Sequence, residues 1–170
     1  LTDSLGSPEM QKYGERYTRT SLYSFVELDK ENNIYLAYAN QNLIEKYSSA
    51  GKKLLSIDRK LSFDYKDDPD TNSIENLQFP KIVSNGIALD SKDRLWVLTT
   101  KKEHRILDDV EDLLKTDTFK LEIYDSNEGI LLGEIPLDHY GSNLYINNDS
   151  LYIIDTHFSM AVYEYKIIDD

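Results

Sequence analysis

The chain of 170 residues has a net charge of −12, which argues against nucleic acids and anionic membranes as partners, because both are bound through Lys and Arg. It contains no cysteine, so disulfides, thiolate catalysis and cysteine-ligated zinc are excluded. No apolar run approaches the length that spans a bilayer. The length fits one domain or part of a larger one. The start at Leu1, without an apolar leader, leads us to expect a processed protein or a fragment.

Residues 1–20 contain one strand-like stretch, "MQKYG". It resembles the end of the fourth strand of a four-strand unit that recurs further along the chain. We therefore expect residues 1–20 to end a preceding unit or to supply a closing strand. In the second case residues 10–13 would complete the last unit, either in cis or from a partner chain.

The first complete unit covers residues 21–57. Its phrase "VELDKENNIYLAY" places two apolar runs around a polar turn that starts at Asp29, and this predicts a β-hairpin. A third strand, "LIEKY", ends at Tyr47, and the following turn reaches Gly51, where glycine suits a positive φ. The fourth predicted strand, "KKLLSI", ends at Ile57.

The same pattern occurs twice more. The second unit, residues 85–135, repeats all four strands, with turns at Asp90 and Gly129. The third unit, residues 143–168, turns at Asn147 and stops after its third strand. We expect that strand to be an unpaired edge.

Each predicted second strand carries an aromatic residue at the same position: Tyr35, Trp96 and Tyr152. An aromatic that recurs at one strand position is typical of packing between neighbouring sheets, because each ring buries a large area. The alternative is a platform for sugar binding. We predict that all three rings are largely buried between sheets.

Four-stranded antiparallel units that repeat along a chain indicate a β-propeller, an all-β fold. A generic meander or sandwich is the alternative. Propellers typically close with four to eight blades, whereas this chain has about three. We therefore interpret it as the C-terminal half of a six-bladed propeller. The rest of the ring would be an N-terminal half of the same protein or a second copy.

Two phrases, "GIALDSKDRLWVL" and "NNIYLAYANQNLIEKYSSAGKKLL", resemble the repeats of NHL-type six-bladed propellers. The ending "LYIIDTHFSMAVYEYKII" is similar to the last repeat of bacterial six-bladed propeller proteins of the Bacteroidetes type. The resemblance covers about residues 21–168. It implies the propeller fold and an extracytoplasmic compartment, the periplasm or the cell surface. Our own interpretation of the function is a non-enzymatic module that binds a protein or a small-molecule ligand.

The long insertions all fall on one side of the predicted propeller, where second-to-third-strand loops and inter-blade linkers meet. They are residues 58–84, 99–118 and 136–142, and "HRILDDVEDLLKTD" predicts a helix within 101–118. Long loops on a rigid scaffold commonly carry binding residues. The candidate binding residues on this side are Lys101, Lys102, His104, Arg105, His139, Tyr140, His157 and Phe158.

Catalytic and metal-binding motifs are weak. The three histidines lack the close spacing of a metal site, and the acidic loop around residues 64–75 fails the EF-hand pattern. "SNGIALDSKDRLWV" resembles repeats of calcium-dependent lactonases of the gluconolactonase class, which implies a metal role for Asn85. A calcium-dependent hydrolase of that type is the alternative function. Otherwise we expect no cofactor.

Overall fold

The computed structural model describes residues 24–63, 82–102 and 118–168, and every regular element in these ranges is a β-strand. Two predicted segments lie outside the described residues, namely the stretch at 10–13 and the acidic loop 64–75. The helix predicted within 101–118 also lies outside them, apart from residues 101, 102 and 118. No helix of the described ranges is long and apolar enough to cross a membrane.

Within the described residues, eleven strands form three antiparallel sheets, which confirms the predicted all-β class. The first sheet contains β1 (Ser24–Leu28), β2 (Ile34–Tyr38), β3 (Leu43–Tyr47) and β4 (Lys53–Asp58). The second contains β5 (Ser84–Leu89), β6 (Arg94–Thr100), β7 (Phe119–Asp125) and β8 (Leu131–Pro136). The third contains β9 (Asn143–Asn147), β10 (Ser150–Asp155) and β11 (Ala161–Lys166). Strands are neighbours in chain order in every sheet, and β11 is an edge strand among the described residues.

The turn chemistry read from the sequence produces the hairpins. The Asp90 carboxylate accepts hydrogen bonds from the backbone N–H groups of Lys92 and Arg94, both at 2.9 Å, and Asp29 does the same in the first sheet. Such bonds replace backbone pairing inside a tight turn. Gly51 and Gly129 have φ angles of 80° and 71°, which confirms the positive φ expected at these turns.

The three sheets meet through their first strands, with β5 lying between β1 and β9. Gly86 lies at the approach of β5 to β9. A Cβ at this position would come within 2.6 Å of the Asn143 Oδ1 atom and 3.0 Å of the Leu144 nitrogen. Only a residue without a side chain allows the two strands to pack this closely.

Side chains on opposite faces of the second sheet fill two separate cores. We call the face of a sheet that points toward the next sheet in chain order its leading face, and the opposite one its trailing face. The first core joins the leading face of the first sheet to the trailing face of the second, through Tyr35, Ala37, Ile44, Ile57, Ile87, Leu95, Val97 and Tyr124. The second joins the leading face of the second sheet to the trailing face of the third, through Ala88, Trp96, Leu98, Phe119, Leu121, Leu137, Leu144, Leu151 and Ile153.

The repeated aromatics occupy equivalent positions on the leading faces. Tyr35 and Trp96 are buried in the two cores, as predicted, and the Trp96 indole N–H donates to Asp90 Oδ2 at 3.0 Å. Tyr152 is only half-buried, so the prediction is wrong for this residue. The physical reason is that no described sheet covers the leading face of the third sheet.

Candidate binding site

The second-to-third-strand loops and the inter-sheet linkers lie on one side of the molecule, which we call the long-loop side. The Val83 N–H, in the first linker, donates to the Ala39 carbonyl at 2.6 Å, in the loop after β2. The Ser142 N–H, in the second linker, donates to the Ile154 carbonyl at 2.8 Å. The described residues of this side are 39–42, 59–63, 82–83, 101–102, 118, 137–142 and 156–160.

The tight hairpin turns lie at the opposite ends of the strands. Lys30, in the first hairpin of the first sheet, is 3.3 Å from the Asp93 carboxylate and donates to the Ser91 carbonyl at 3.1 Å. Both partners belong to the equivalent hairpin of the second sheet. The two sheets therefore point the same way, and their long loops meet on one side.

An aromatic cluster occupies the long-loop side where the second and third sheets meet. The Tyr140 ring packs edge-on against Phe119 and Phe158, with centroid distances of 5.1 and 4.7 Å. The His157 ring lies 5.7 Å from it. Three predicted binding residues, Tyr140, His157 and Phe158, are thus brought together, and the exposed His157 ring gives the cluster a face toward solvent.

Asp155 fixes the loop that carries two members of this cluster. Its carboxylate accepts the backbone N–H groups of His157, Phe158 and Ser159 at 2.8–2.9 Å, and the Ser159 hydroxyl at 2.7 Å. Burial alone would raise the pKa of Asp155, but these donors lower it to about 2. The loop is therefore held by an ionised carboxylate throughout the physiological pH range.

His139 turns away from the aromatic cluster, although it precedes Tyr140 directly. Its ring stacks on Tyr163 with a centroid distance of 3.8 Å, and its Nε2 atom lies 2.6 Å from the Tyr165 hydroxyl. Both tyrosines belong to the trailing side of β11. Burial, Asp138 and Tyr163 raise the pKa of Tyr165, so its hydroxyl stays protonated.

The predicted basic residues are only partly described. The Lys101 N–H donates to the Thr118 carbonyl at 2.7 Å, and the Lys101 carbonyl accepts a hydrogen bond from the Ser62 hydroxyl. The Lys102 side chain is exposed beside it. His104 and Arg105 lie outside the described residues.

A buried ion pair on the long-loop side was not predicted. Arg59 follows β4 directly, and its Nη1 atom lies 3.2 Å from the Glu122 carboxylate in the core between the first and second sheets. All five guanidinium N–H donors are used. Their acceptors are the carbonyls of Gln41 and Asn42, the hydroxyls of Ser84 and Thr99, and the Glu122 carboxylate. The group therefore joins the sheets and has no donor left for a ligand.

The sequence contains a signal for the glutamate of this ion pair, although not for the arginine. A glutamate stands two residues before tyrosine in both "LIEKY" and "KLEIY", as Glu45 and Glu122, and both are buried. Glu45 accepts the hydroxyls of Tyr38 and Tyr47 at 2.6 and 2.9 Å, and Glu122 accepts that of Tyr124 at 3.0 Å. Burial and the Glu122 charge together raise the pKa of Tyr124 strongly.

Asn85, the weak metal candidate, lies at the buried start of β5. Its side-chain amide donates to the Gly141 carbonyl at 2.9 Å and so links the second sheet to the second linker. The described residues contain no group of three or more His, Asp or Glu side chains placed to share a metal ion. The calcium role of Asn85 stays a prediction that a titration can test.

Comparison with known proteins gives low similarity. No family model and no curated protein matches the chain. A solved luciferin-regenerating enzyme is 13% identical with a TM-score of 0.46, and the match covers 82% of this chain and 43% of that one. The computationally designed Ika4 protein is 12% identical with a TM-score of 0.38, over 98% of this chain and 99% of that one. The chain thus spans less than half the length of the luciferin-regenerating enzyme.

Proposed function

We propose that the three sheets are blades of a β-propeller of the NHL-like six-bladed kind. The sheets are antiparallel with strands in chain order, and they meet through their first strands. Equivalent strand positions form both inter-sheet cores. This repetition is what a radial arrangement of blades requires, and it supports the interpretation of the repeats in the sequence.

We further propose that the protein is a non-enzymatic binding module that uses the long-loop side. The observation that carries this is the aromatic cluster, in which the Tyr140 ring is wedged between two sheets beside an exposed His157. Aromatic faces held by a rigid scaffold bind apolar, ring-shaped or cationic groups. The net charge of −12 favours neutral or cationic ligands among these. The resemblance to the bacterial proteins extends the proposal to an extracytoplasmic location.

A titration followed by amide NMR tests this. Three probes represent the ligand classes: methyl β-glucoside for sugars, indole-3-acetamide for aromatics, and Nα-acetyl-lysine methylamide, which keeps its side-chain ammonium group, for cations. At least one is expected to shift the resonances of residues 139–142 and 156–160. Phe158→Ala should abolish these shifts, because it removes one wall of the cluster while Asp155 still holds the loop.

Leu54→Ala is the matched control. Leu54 is an exposed aliphatic residue of β4, at the outer edge of the first sheet, and its loss should leave the shifts unchanged. The proposal fails if no probe shifts the loop resonances. It fails equally if the shifts occur only around the hairpin turns at Asp29 and Asp90.

A further inference from the structure

Among the described residues, no sheet covers the trailing face of the first sheet, and this face is open at its first strand. Val26, Ile87 and Leu144 hold the same position in β1, β5 and β9, since each pairs with an equivalent residue of the second strand. Ile87 is 5% exposed because the first sheet covers it, whereas Val26 is 57% exposed. Leu28, on the same face of β1, is exposed as well. Further out, Leu36, Tyr38 and Tyr47 of this face are buried.

The leading face of the third sheet is open in the same sense. Ile44, Leu121 and Val162 hold equivalent positions in the third strands. Leu121 is 2% exposed beneath the next sheet, whereas Val162 is 63% exposed. Tyr145 is also exposed on this face, where its second-sheet counterpart Ala88 is buried. Both open faces therefore have the composition of faces that a neighbouring sheet covers elsewhere in the molecule.

We propose that a second copy of this chain covers both faces. The trailing face of its first sheet would pack on the leading face of the third sheet, and the reverse contact would follow from two-fold symmetry. This rests on the propeller part of the proposed function. One chain carries both halves of the missing joint, so two copies satisfy each other, and three sheets from each give a closed ring of six.

Charge at the joint supports this occupant. Lys46, on the leading face of β3, reaches the Ser126 carbonyl and Asn127 Oδ1 of the next sheet at 3.4 and 3.3 Å. The equivalent residue of β11 is Glu164, which has the opposite charge. The turn that it would meet in a second copy is the one at 48–52, which carries the exposed Lys52. A carboxylate would therefore face a lysine across the new joint.

Analytical ultracentrifugation of the 170-residue chain at micromolar concentration tests the proposal. The expected mass is twice the 19.7 kDa of one chain. Val26→Glu and Val162→Glu should each give a single-chain mass, because each places a charge in both joints of the dimer. Leu132→Glu is the matched control: Leu132 is an exposed aliphatic residue of β8 outside both open faces, and this variant should keep the double mass.

Mixing the two variants identifies which faces meet. The Val26→Glu chain keeps an intact third sheet and the Val162→Glu chain an intact first sheet, so an equimolar mixture should recover the double mass through one joint. Glu164→Lys should weaken association at least tenfold, and Lys52→Glu in the same chain should restore it. Circular dichroism checks that each variant folds. If a glutamate variant does not fold, the corresponding serine variant, Val26→Ser or Val162→Ser, is used in its place.

Several outcomes would overturn the inference. If the wild-type chain is monomeric, a second copy does not cover the open faces. If it forms a polymer, closure by a two-fold axis is excluded. A dimer that survives either glutamate substitution, or a mixture that stays monomeric, would exclude the head-to-tail joint. The NMR titration reads the long-loop side independently, so failure here leaves the ligand-binding proposal to its own test.

Discussion

Removing Arg59 should weaken the joint between the first and second sheets. We choose Arg59→Leu because the equivalent residue of the next joint is Leu137, which follows β8 as Arg59 follows β4. The substitution leaves the buried Glu122 carboxylate with Lys120 at 2.9 Å and the Thr99 and Tyr124 hydroxyls at 3.0 Å. Losing one partner of a buried pair commonly costs about 3–5 kcal/mol. Because Lys120 still compensates part of the charge, we expect about 3 kcal/mol.

Urea unfolding at pH 7 of the wild type, Arg59→Leu, Glu122→Gln and the double variant measures the coupling between the two residues. The double variant should be less destabilised than the sum of the singles by about 1–3 kcal/mol. The control is Lys30→Leu at the exposed pair with Asp93, where the loss should stay below about 1 kcal/mol.

Acid should reduce the contribution of Glu122. Burial raises the pKa of Glu122, but the charges of Arg59 and Lys120 outweigh it and hold the pKa below its usual range. A depressed pKa stabilises the fold above the unfolded-state value, and this stabilisation is lost as the pH falls through the folded-state value. The difference in the free energy of unfolding between the wild type and Glu122→Gln should therefore become smaller in acid. The reasoning would be refuted if either single variant lost less than about 1 kcal/mol of unfolding free energy. It would also be refuted if the loss in the double variant equalled the sum of the single losses within about 0.5 kcal/mol.

Four further predictions concern other parts of the molecule. Asp155→Asn should destabilise the fold by about 2 kcal/mol at pH 7, since the pKa of Asp155 is lowered from 3.8 to about 2, and urea titrations should show this difference vanishing between about pH 4 and pH 2. Trp96→Ala should cost about 3–5 kcal/mol in the same assay, and a loss below about 1 kcal/mol would contradict its place in the core. Gly129→Ala should cost about 1–2 kcal/mol, because φ is 71° and the new Cβ would lie 2.9 Å from Ile57, and an unchanged unfolding midpoint would show that the turn adapts. Calorimetric titration with calcium decides the alternative function: binding that Asn85→Ala abolishes favours the hydrolase, and no binding removes it.

The sequence predicts the hairpins well because their causes are local. An aspartate that caps its own turn, as Asp90 does, acts over four residues, and the alternation of apolar residues sets the faces of each strand. The repeated position of Tyr35 and Trp96 correctly predicts burial, since equivalent strand positions meet equivalent neighbours.

The sequence does not predict how side chains pair across sheets. Arg59 and Glu122 are 63 residues apart, and their contact depends on how two sheets align, which no local pattern encodes. The same holds for His139, which packs on Tyr163 while the adjacent Tyr140 joins the aromatic cluster. Tyr152 shows a second limit of prediction from the sequence. Its strand position matches those of Tyr35 and Trp96, but its burial depends on whether a neighbouring sheet covers it.

The in-order arrangement of strands has a consequence for how the molecule forms. Each sheet is built from one contiguous stretch of chain, so it can form without the other sheets. Its hairpins close over short loops, apart from the β6–β7 connection, whose longer loop adds only slowly to the entropy of closure. Docking is a separate, later event that depends on residues such as Trp96 and Gly86, which contribute more to the joints than to the hairpins. A substitution there should leave the strands formed but the sheets undocked. Amide exchange should then become faster along β5, the outer strand at the joint, than along β6 and β7 inside the same sheet.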